Sequence, residues 1–155
     1  MRFPSGIYAT QRKALVKLWE EAWQEGLWAV PWSKALEGLT ASRAAWKPHP
    51  ARHSIWQIAH HLLFWRQVTL HVARGEPEPD QAETLSRSWE EPSQTDAGAW
   101  RATVRGFETS QRDLVGALTA CDRELHRFHY HRFHDSYHIG QIMQQRAMQG
   151  LAPLV

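Results

Sequence analysis

Residues 134–142, with the sequence HDSYHIGQI, decide how the rest of this chain is interpreted. His134 and His138 are four positions apart, so on a helix they share one face with their Cβ atoms roughly 5–6 Å apart. Two imidazoles at that spacing can bind one metal ion, because a zinc–nitrogen bond is about 2.0–2.1 Å long. Gln141 extends the same face by almost one more turn. The stretch therefore predicts a helix that supplies two metal ligands, and a third ligand has to come from another part of the chain.

The length and composition of the chain limit the classes of protein to which it can belong. Its 155 residues are enough for one domain with a hydrophobic core, so we expect a single domain over residues 1–155. Hydrophobic residues make up 43% and charged residues 22%, which is ordinary for a soluble globular protein. The formal net charge is only +2 and no basic tract is present. Nucleic-acid binding is therefore not expected.

The single cysteine and the absence of long apolar segments bear on where the protein works. Cys121 cannot form an intramolecular disulfide, and a lone cysteine is typical of a reducing compartment. It follows an apolar helical pattern, so we expect a buried, unreactive thiol. The first residues, MRFPSGIY, lack the apolar run of a secretory signal, and no segment approaches the roughly 20 apolar residues that span a bilayer. We expect a cytoplasmic protein that does not interact with membranes.

Apolar residues recur at helical spacing in four segments, while the alternation typical of a sheet is missing. The four predicted helices run from Ser5 to about Gly26, from His53 or Ser54 to Ala73, from Ser93 or Thr95 to Thr119 or Ala120, and from Phe128 or His131 to Gln149, with Gly150 as a C-terminal cap. Residues 81–92 predict an irregular connection that crosses the bundle and is held by Trp89. The chain is therefore predicted to be all-α, an antiparallel four-helix bundle with a long connection between helices two and three.

The second predicted helix offers two candidates for the third ligand, His60 and His61. His61 shares a face with Ile58 and Trp65, so it lies beside the core, whereas His60 is rotated about 100° away. His61 is therefore the predicted ligand. Three histidines from two helices would leave open positions on the ion, as in a catalytic rather than a closed structural site.

Each of these features also has a simpler interpretation. An isolated histidine pair four residues apart is more often surface decoration or polar core filling than a ligand pair. Tryptophans are more often core residues than parts of a ligand cage, although Trp65 and Trp56 are candidates to line a pocket. Gln141 fits a surface amide as well as a contact to a ligand or substrate. Five further histidines are most simply exposed or hydrogen-bonded: His49, His53, His71, His126 and His129.

These residues resemble the DinB/YfiT-like superfamily of metal-dependent four-helix-bundle proteins. Residues 134–142 closely match the family's H-D-x-Y-H-x-G-Q-I segment, and residues 53–65, HSIWQIAHHLLFW, resemble the segment in which a ligand histidine follows a Ser-Ile-Trp start. That alignment places the family's first ligand on His61. Residues 34–40 and 44–48 are also similar, so the resemblance covers nearly the whole chain. The doubled histidine departs from the pattern, which leaves His60 as a competitor of His61.

The resemblance implies a site for a divalent ion, often nickel or zinc, held by His61, His134 and His138. Characterised relatives include transferases that use a low-molecular-weight bacterial thiol, and a mycothiol-dependent isomerase. On this basis Tyr137 and Gln141 are expected to orient the metal shell or the substrate.

Three hypotheses about function follow. The first is a metal-dependent enzyme that carries out thiol-dependent S-transfer or hydrolysis on a small electrophilic substrate. In that case the attacking thiol belongs to a cofactor and not to Cys121. The second is a non-catalytic metal- or ligand-binding stress-response bundle that acts as a homodimer. The third is a helical interaction module whose histidines bind nothing.

Overall fold

The computed structural model describes residues 5–26, 28–121 and 125–154. These residues form six α-helices and contain no strand, which confirms the all-α prediction for the part of the chain that is described. The helices are α1 (Ser5–Gln24), α2 (Ala41–Ala45), α3 (Ile55–Ala73), α4 (Gln81–Arg87), α5 (Ala97–Ala120) and α6 (Leu125–Met148), and a 3-10 turn covers Trp32–Lys34.

The four long helices form a bundle in which α1 and α3 each pack against both α5 and α6. Their inward faces carry large apolar side chains, because residues three and four apart on a helix share one face. The largest fully buried apolar side chains are Trp19, Ile55, Trp56, Ile58, Leu62, Leu114, Leu118, Phe128, Ile139 and Ile142. The bundle thus has one continuous core, and α3 and α6 meet within it.

The start of α3 is fixed by a reciprocal cap. Ser54 Oγ accepts a hydrogen bond from the Gln57 backbone N–H at 3.1 Å, and Gln57 Oε1 accepts one from the Ser54 N–H, also at 3.1 Å. This capping box satisfies two backbone donors that would otherwise lack partners. It confirms the predicted start of this helix.

Two predicted boundaries of the later helices were wrong. The N-cap of α5 is Asp96 and not Ser93 or Thr95, because Asp96 Oδ1 accepts from the N–H groups of both Gly98 and Ala99. In α6 the helix is already formed at Leu125, so His131 lies well inside it. The predicted C-terminal cap is confirmed, since Gly150 has φ +69°, a conformation that costs glycine little.

The segment between α3 and α5 is more regular than predicted. Residues 81–92 were expected to be irregular throughout, but Gln81–Arg87 is helical. Asp80 caps this helix by accepting a hydrogen bond from the Glu83 N–H at 2.8 Å, and Glu83 pairs with Arg87 one turn later. The helix delivers the residues that follow it, Ser88 and Trp89, to the bundle. None of the described helices is both long and apolar enough to cross a membrane.

Candidate metal centre

Three histidines converge between α3 and α6, and we call His61, His134 and His138 the histidine cluster. His61 comes from the middle of α3, and the other two come from successive turns of α6. One ring nitrogen from each residue lies within 4.8 Å of the others, and the ring centroids are 4.6–5.1 Å apart. The structure therefore brings together the three residues that the sequence singles out.

The outer nitrogen of each ring is held by an acceptor. His61 Nδ1 donates to the Ser88 carbonyl oxygen at 2.9 Å, and His138 Nδ1 donates to Gln141 Oε1 at 2.7 Å. His134 Nδ1 lies 3.3 Å from the carboxylate oxygen Oδ1 of Asp135. Carbonyl and carboxylate oxygens only accept, so each Nδ1 carries a proton, and in a neutral ring this leaves a free lone pair on Nε2. Metal-binding histidines are oriented by partners of this kind.

The inner nitrogens have the chemistry of a cation site. His61 Nε2 and His134 Nε2 are 3.1 Å apart, and both are acceptors once their Nδ1 atoms are protonated. Two facing lone pairs at that distance repel each other unless a proton or a cation lies between them. Ligands about 2.0–2.1 Å from one zinc ion at tetrahedral angles are about 3.3–3.4 Å apart, close to the observed separation. The three side chains could therefore hold one divalent ion between α3 and α6.

Burial favours the neutral form of two histidines of the cluster, His61 and His138. It lowers the pKa of His61 to about 3, a shift that the Ser88 carbonyl opposes and that His138 and His134 increase. Burial also lowers the pKa of His138, against the opposing effect of its hydrogen bond to Gln141. A neutral imidazole is the form that binds a metal, so protons compete weakly for these nitrogens near neutral pH.

A segment that the sequence did not assign to the site also holds His61. Trp89 stacks on the His61 ring with ring centroids 3.7 Å apart and ring planes 13° apart. His53 also stacks on Trp89, with centroids 3.9 Å apart and planes 10° apart. Gln57 Nε2 donates to the Trp89 carbonyl oxygen at 3.3 Å and ties this segment back to α3. His61 is thus fixed by the Ser88 carbonyl and by the ring of Trp89.

The predicted contacts of Tyr137 and Gln141 form a short chain of hydrogen bonds to the cluster. Gln141 Oε1 accepts from His138, and Gln141 Nε2 donates to the Tyr137 hydroxyl oxygen at 3.1 Å. Tyr137 is 65% exposed, so the chain runs from His138 to the surface. Gln141 orients His138, and Tyr137 in turn orients Gln141.

A buried ion pair supports the cluster from inside the core. Arg66 and Asp135 are both 0% exposed, and Arg66 Nε donates to Asp135 Oδ2 at 2.9 Å. Burial alone would raise the pKa of Asp135, but Arg66 and His131 hold it well below its ordinary value. The other carboxylate oxygen, Oδ1, lies 3.0 Å from His131 Nε2 and 3.3 Å from His134 Nδ1. Asp135 therefore joins the core to one member of the histidine cluster.

A second group, His131, His134 and Asp135, also has its ligand atoms within 4.8 Å of one another. Its members have other partners, however. His131 Nδ1 is 2.7 Å from Thr69 Oγ1, and Asp135 is paired with the Arg66 guanidinium. A cation at this position would face a buried positive charge, so the histidine cluster is the better metal site.

The remaining histidines and tryptophans lie outside the cluster. His60 Nε2 is 3.3 Å from Thr103 Oγ1 of α5, on a different side of α3 from His61. Trp56 is buried in the core and donates to the same threonine at 2.9 Å, so it lines no pocket near the cluster. Five further histidines are exposed, as expected: His49, His53, His71, His126 and His129. Cys121 is buried, as expected.

Two clefts open beside the histidine cluster. The larger, about 600 Å³, reaches His138 and contains Arg52, and we call it the Arg52 cleft. The smaller, about 350 Å³, reaches His134 and contains Trp65, and we call it the Trp65 cleft. Both volumes fall in the range of small-molecule sites. The cluster is therefore accessible from two sides.

A comparison with models of known protein families shows to which family this chain belongs. A family model described as the DinB superfamily matches residues 31–144, well over half of the chain. The chain belongs to the DinB superfamily. The DinB match includes every member of the histidine cluster as well as Asp135 and Gln141. Searches of curated proteins and of solved structures found no match.

The pKa of His61 predicts that the metal-free DinB-like bundle loses stability in mild acid. The unfolded chain binds a proton at this side chain below about pH 6.5, whereas the folded chain does not until about pH 3. Stability is therefore complete above pH 6.5 and falls as the pH drops, by up to about 1.4 kcal/mol per pH unit for one proton. Urea unfolding with a chelator present, at pH values between 7 and 5, measures this slope.

The variant His61→Gln separates this effect from other titrations. It should flatten the slope, while His129→Gln, which changes an exposed side chain, should leave it unchanged. An equal slope in wild type and His61→Gln would contradict the prediction.

Proposed function

We propose that this DinB-superfamily protein binds one divalent ion through His61, His134 and His138. The observation that carries the proposal is the direction of the three rings. Each Nδ1 is held by an acceptor, and the Nε2 atoms of His61 and His134 are left 3.1 Å apart with no donor between them. Zinc and nickel are among the ions that suit imidazole ligands, and the resemblance to the DinB superfamily favours these two.

The proposal includes the arrangement of the bundle. The four long helices are proposed to run antiparallel, with the segment around α4 as the long connection between α3 and α5. This arrangement is supported by the family membership and by the contacts of α1 and α3 with α5 and α6. In this arrangement the connection passes beside His61, where the Ser88 carbonyl accepts from the ring.

The proposed reaction is S-transfer, in which a low-molecular-weight thiol loses its proton, attacks a small electrophilic substrate and displaces its leaving group, or hydrolysis, in which water does so. A divalent ion with three neutral ligands keeps its full charge and lowers the pKa of a thiol or water bound to it. The protein's own contribution is to hold the rings and to admit the reactants. Gln141 keeps His138 in orientation, Asp135 does so for His134, and the two clefts give reactants access to the cluster.

The cellular setting is proposed on the same basis. We expect a cytoplasmic protein that acts on a small molecule, without nucleic acid or membrane as a partner, and that can form a homodimer. Size-exclusion chromatography with light scattering measures the oligomeric state.

Metal analysis of untagged protein tests the binding site. Protein purified without a histidine tag and dialysed against metal-free buffer should retain close to one zinc or nickel per chain, measured by elemental analysis. The variant His138→Ala should retain less than a tenth of that amount, and His129→Ala should retain all of it. No bound metal in wild-type protein, and none taken up after incubation with zinc or nickel, would reject the site.

An activity assay tests the reaction. Metal-loaded protein should accelerate the conjugation of a small thiol with electrophiles such as chlorodinitrobenzene, and His138→Ala should abolish the acceleration. Turnover that survives removal of the metal would reject metal-dependent transfer. A protein that binds metal stoichiometrically but accelerates neither conjugation nor ester hydrolysis would instead be the non-catalytic metal- or ligand-binding stress-response bundle.

A further inference from the structure

The Arg52 cleft is distinguished by its charge. Its lining includes Arg52, His49 and His53 together with several amides, but no aspartate or glutamate among the described residues. No carboxylate of the described chain lies within ion-pair distance of the Arg52 guanidinium. The positive end of the 19-residue helix α3 begins next to it, at Ile55. An anion in the cleft would therefore meet one cationic side chain that no carboxylate in the described wall neutralises.

The same cleft contains groups that can hydrogen-bond a polar molecule. Gln144 and the Tyr137 hydroxyl are exposed in its wall, and Gln141 is partly exposed. Gln145 Nε2 donates to the His53 carbonyl oxygen at 2.9 Å, whereas Gln145 Oε1 is buried and has no hydrogen-bond partner. A buried acceptor without a partner is unfavourable. A hydroxyl or an amide N–H is the kind of donor that this oxygen lacks.

The Trp65 cleft provides a natural contrast on the other side of the cluster. Its walls are mainly aromatic, with Trp65 and Tyr130, and its cation is already neutralised. Arg127 in that wall forms an ion pair with Glu78. An anion would therefore gain less there than in the Arg52 cleft, where the guanidinium has no partner among the described residues.

We propose that the Arg52 cleft binds a small polar molecule with an anionic group, held by Arg52, and directs its reactive end to the side of the cluster formed by His138. This inference rests on the proposed function for the identity of the reactive end, which would be a thiol. The anion site itself depends only on the cleft. The volume of about 600 Å³ leaves room for the remainder of such a molecule against Trp89 and the glutamines.

Two thiols of similar size test the proposal. The probes are 2-mercaptoethanesulfonate, which is anionic, and 2-mercaptoethanol, which is neutral, and a sulfonate is a poor metal ligand. Binding to zinc-loaded full-length protein is measured by tryptophan fluorescence and calorimetry at low ionic strength. The anionic thiol should bind about tenfold more tightly. This preference should disappear in Arg52→Gln, remain in Arg127→Gln, and decrease when the salt concentration is raised.

A third probe separates this proposal from the metal site. Ethanesulfonate has the anionic group without the thiol, so it should compete with 2-mercaptoethanesulfonate in wild type and lose that competition in Arg52→Gln, with or without zinc. If it does so in a protein that shows no thiol transfer, the anion site stands and the transferase does not. If both thiols bind equally, or if Arg52→Gln leaves the preference intact, the anion site is rejected whatever the metal does.

Discussion

His61→Ala is expected to weaken the binding of zinc or nickel by roughly 100-fold or more, whereas His60→Ala should change it by less than about threefold. The first substitution removes one of three imidazoles from the histidine cluster. The second removes a ring whose Nε2 faces Thr103 of α5, away from the cluster. Two histidines adjacent in sequence should therefore differ in their effect by more than an order of magnitude.

The measurement is a competition titration against a chromophoric chelator, with the same protocol for zinc and for nickel. His60→Ala is the matched control, because it removes the same side chain from the same turn of α3. Unchanged helical circular dichroism in both variants would show that the bundle is intact. If His60→Ala lost the metal and His61→Ala kept it, the assignment of α3's ligand would have to be reversed.

The choice of His61 could be predicted because it depends on one helix alone. The phase of a residue follows from 3.6 residues per turn and from the apolar positions around it, here Ile58 and Trp65. The spacing of His134 and His138 is local in the same way. Their meeting with His61 is not local: it is predicted from the phase of His61 in an expected bundle and from the resemblance to a metal-binding family.

The supports of the cluster could not be predicted in this way. The Ser88 carbonyl oxygen accepts a hydrogen bond from His61, which lies 27 positions earlier in the chain. Because the acceptor is a backbone atom, the identity of the residue at position 88 does not indicate this contact. The helix α4 that delivers Ser88 is short and has no buried side chain, so it lacks the apolar stripe by which helices are recognised. The sequence predicts that Trp89 holds this segment, but its stacking on His61 depends on how the segment packs against α3.

Arg66 shows most clearly why the buried supports of the cluster could not be predicted from the sequence. An arginine on a helix is expected at the surface, since charged side chains are rarely buried without a partner. Its partner, Asp135, lies 69 positions away. Asp135 is part of the HDSYHIGQI segment, in which only His134, Tyr137, His138 and Gln141 are predicted to have a role at the site. A buried pair of this kind becomes apparent only when two helices are packed together.

Removing Asp135 should have the largest effect on stability in this protein. Asp135→Ala is expected to lower the free energy of unfolding by about 3–5 kcal/mol, because it leaves the fully buried Arg66 guanidinium without its counterion. The remaining partners of that guanidinium are the Ser110 hydroxyl at 3.0 Å, the Phe107 carbonyl oxygen at 3.3 Å and the Phe107 ring at 4.0 Å, and none carries a negative charge. Urea unfolding of chelator-treated protein at pH 7 measures the loss.

A double-mutant cycle shows whether the loss comes from the unpaired charge. Arg66→Met together with Asp135→Ala should destabilise the protein less than Asp135→Ala alone, because the double variant contains no buried charge at this position. Lys17→Gln, which breaks an exposed ion pair with Glu21 on α1, is the control and should change stability by less than about 1 kcal/mol. A double variant less stable than both single variants would mean that the pair stabilises through packing and not through compensation of charge.

The same variant, Asp135→Ala, should also weaken metal binding. Without Asp135 Oδ1, His134 loses the acceptor at its Nδ1, and the affinity for the metal should fall by about 10–100-fold even where the bundle remains folded.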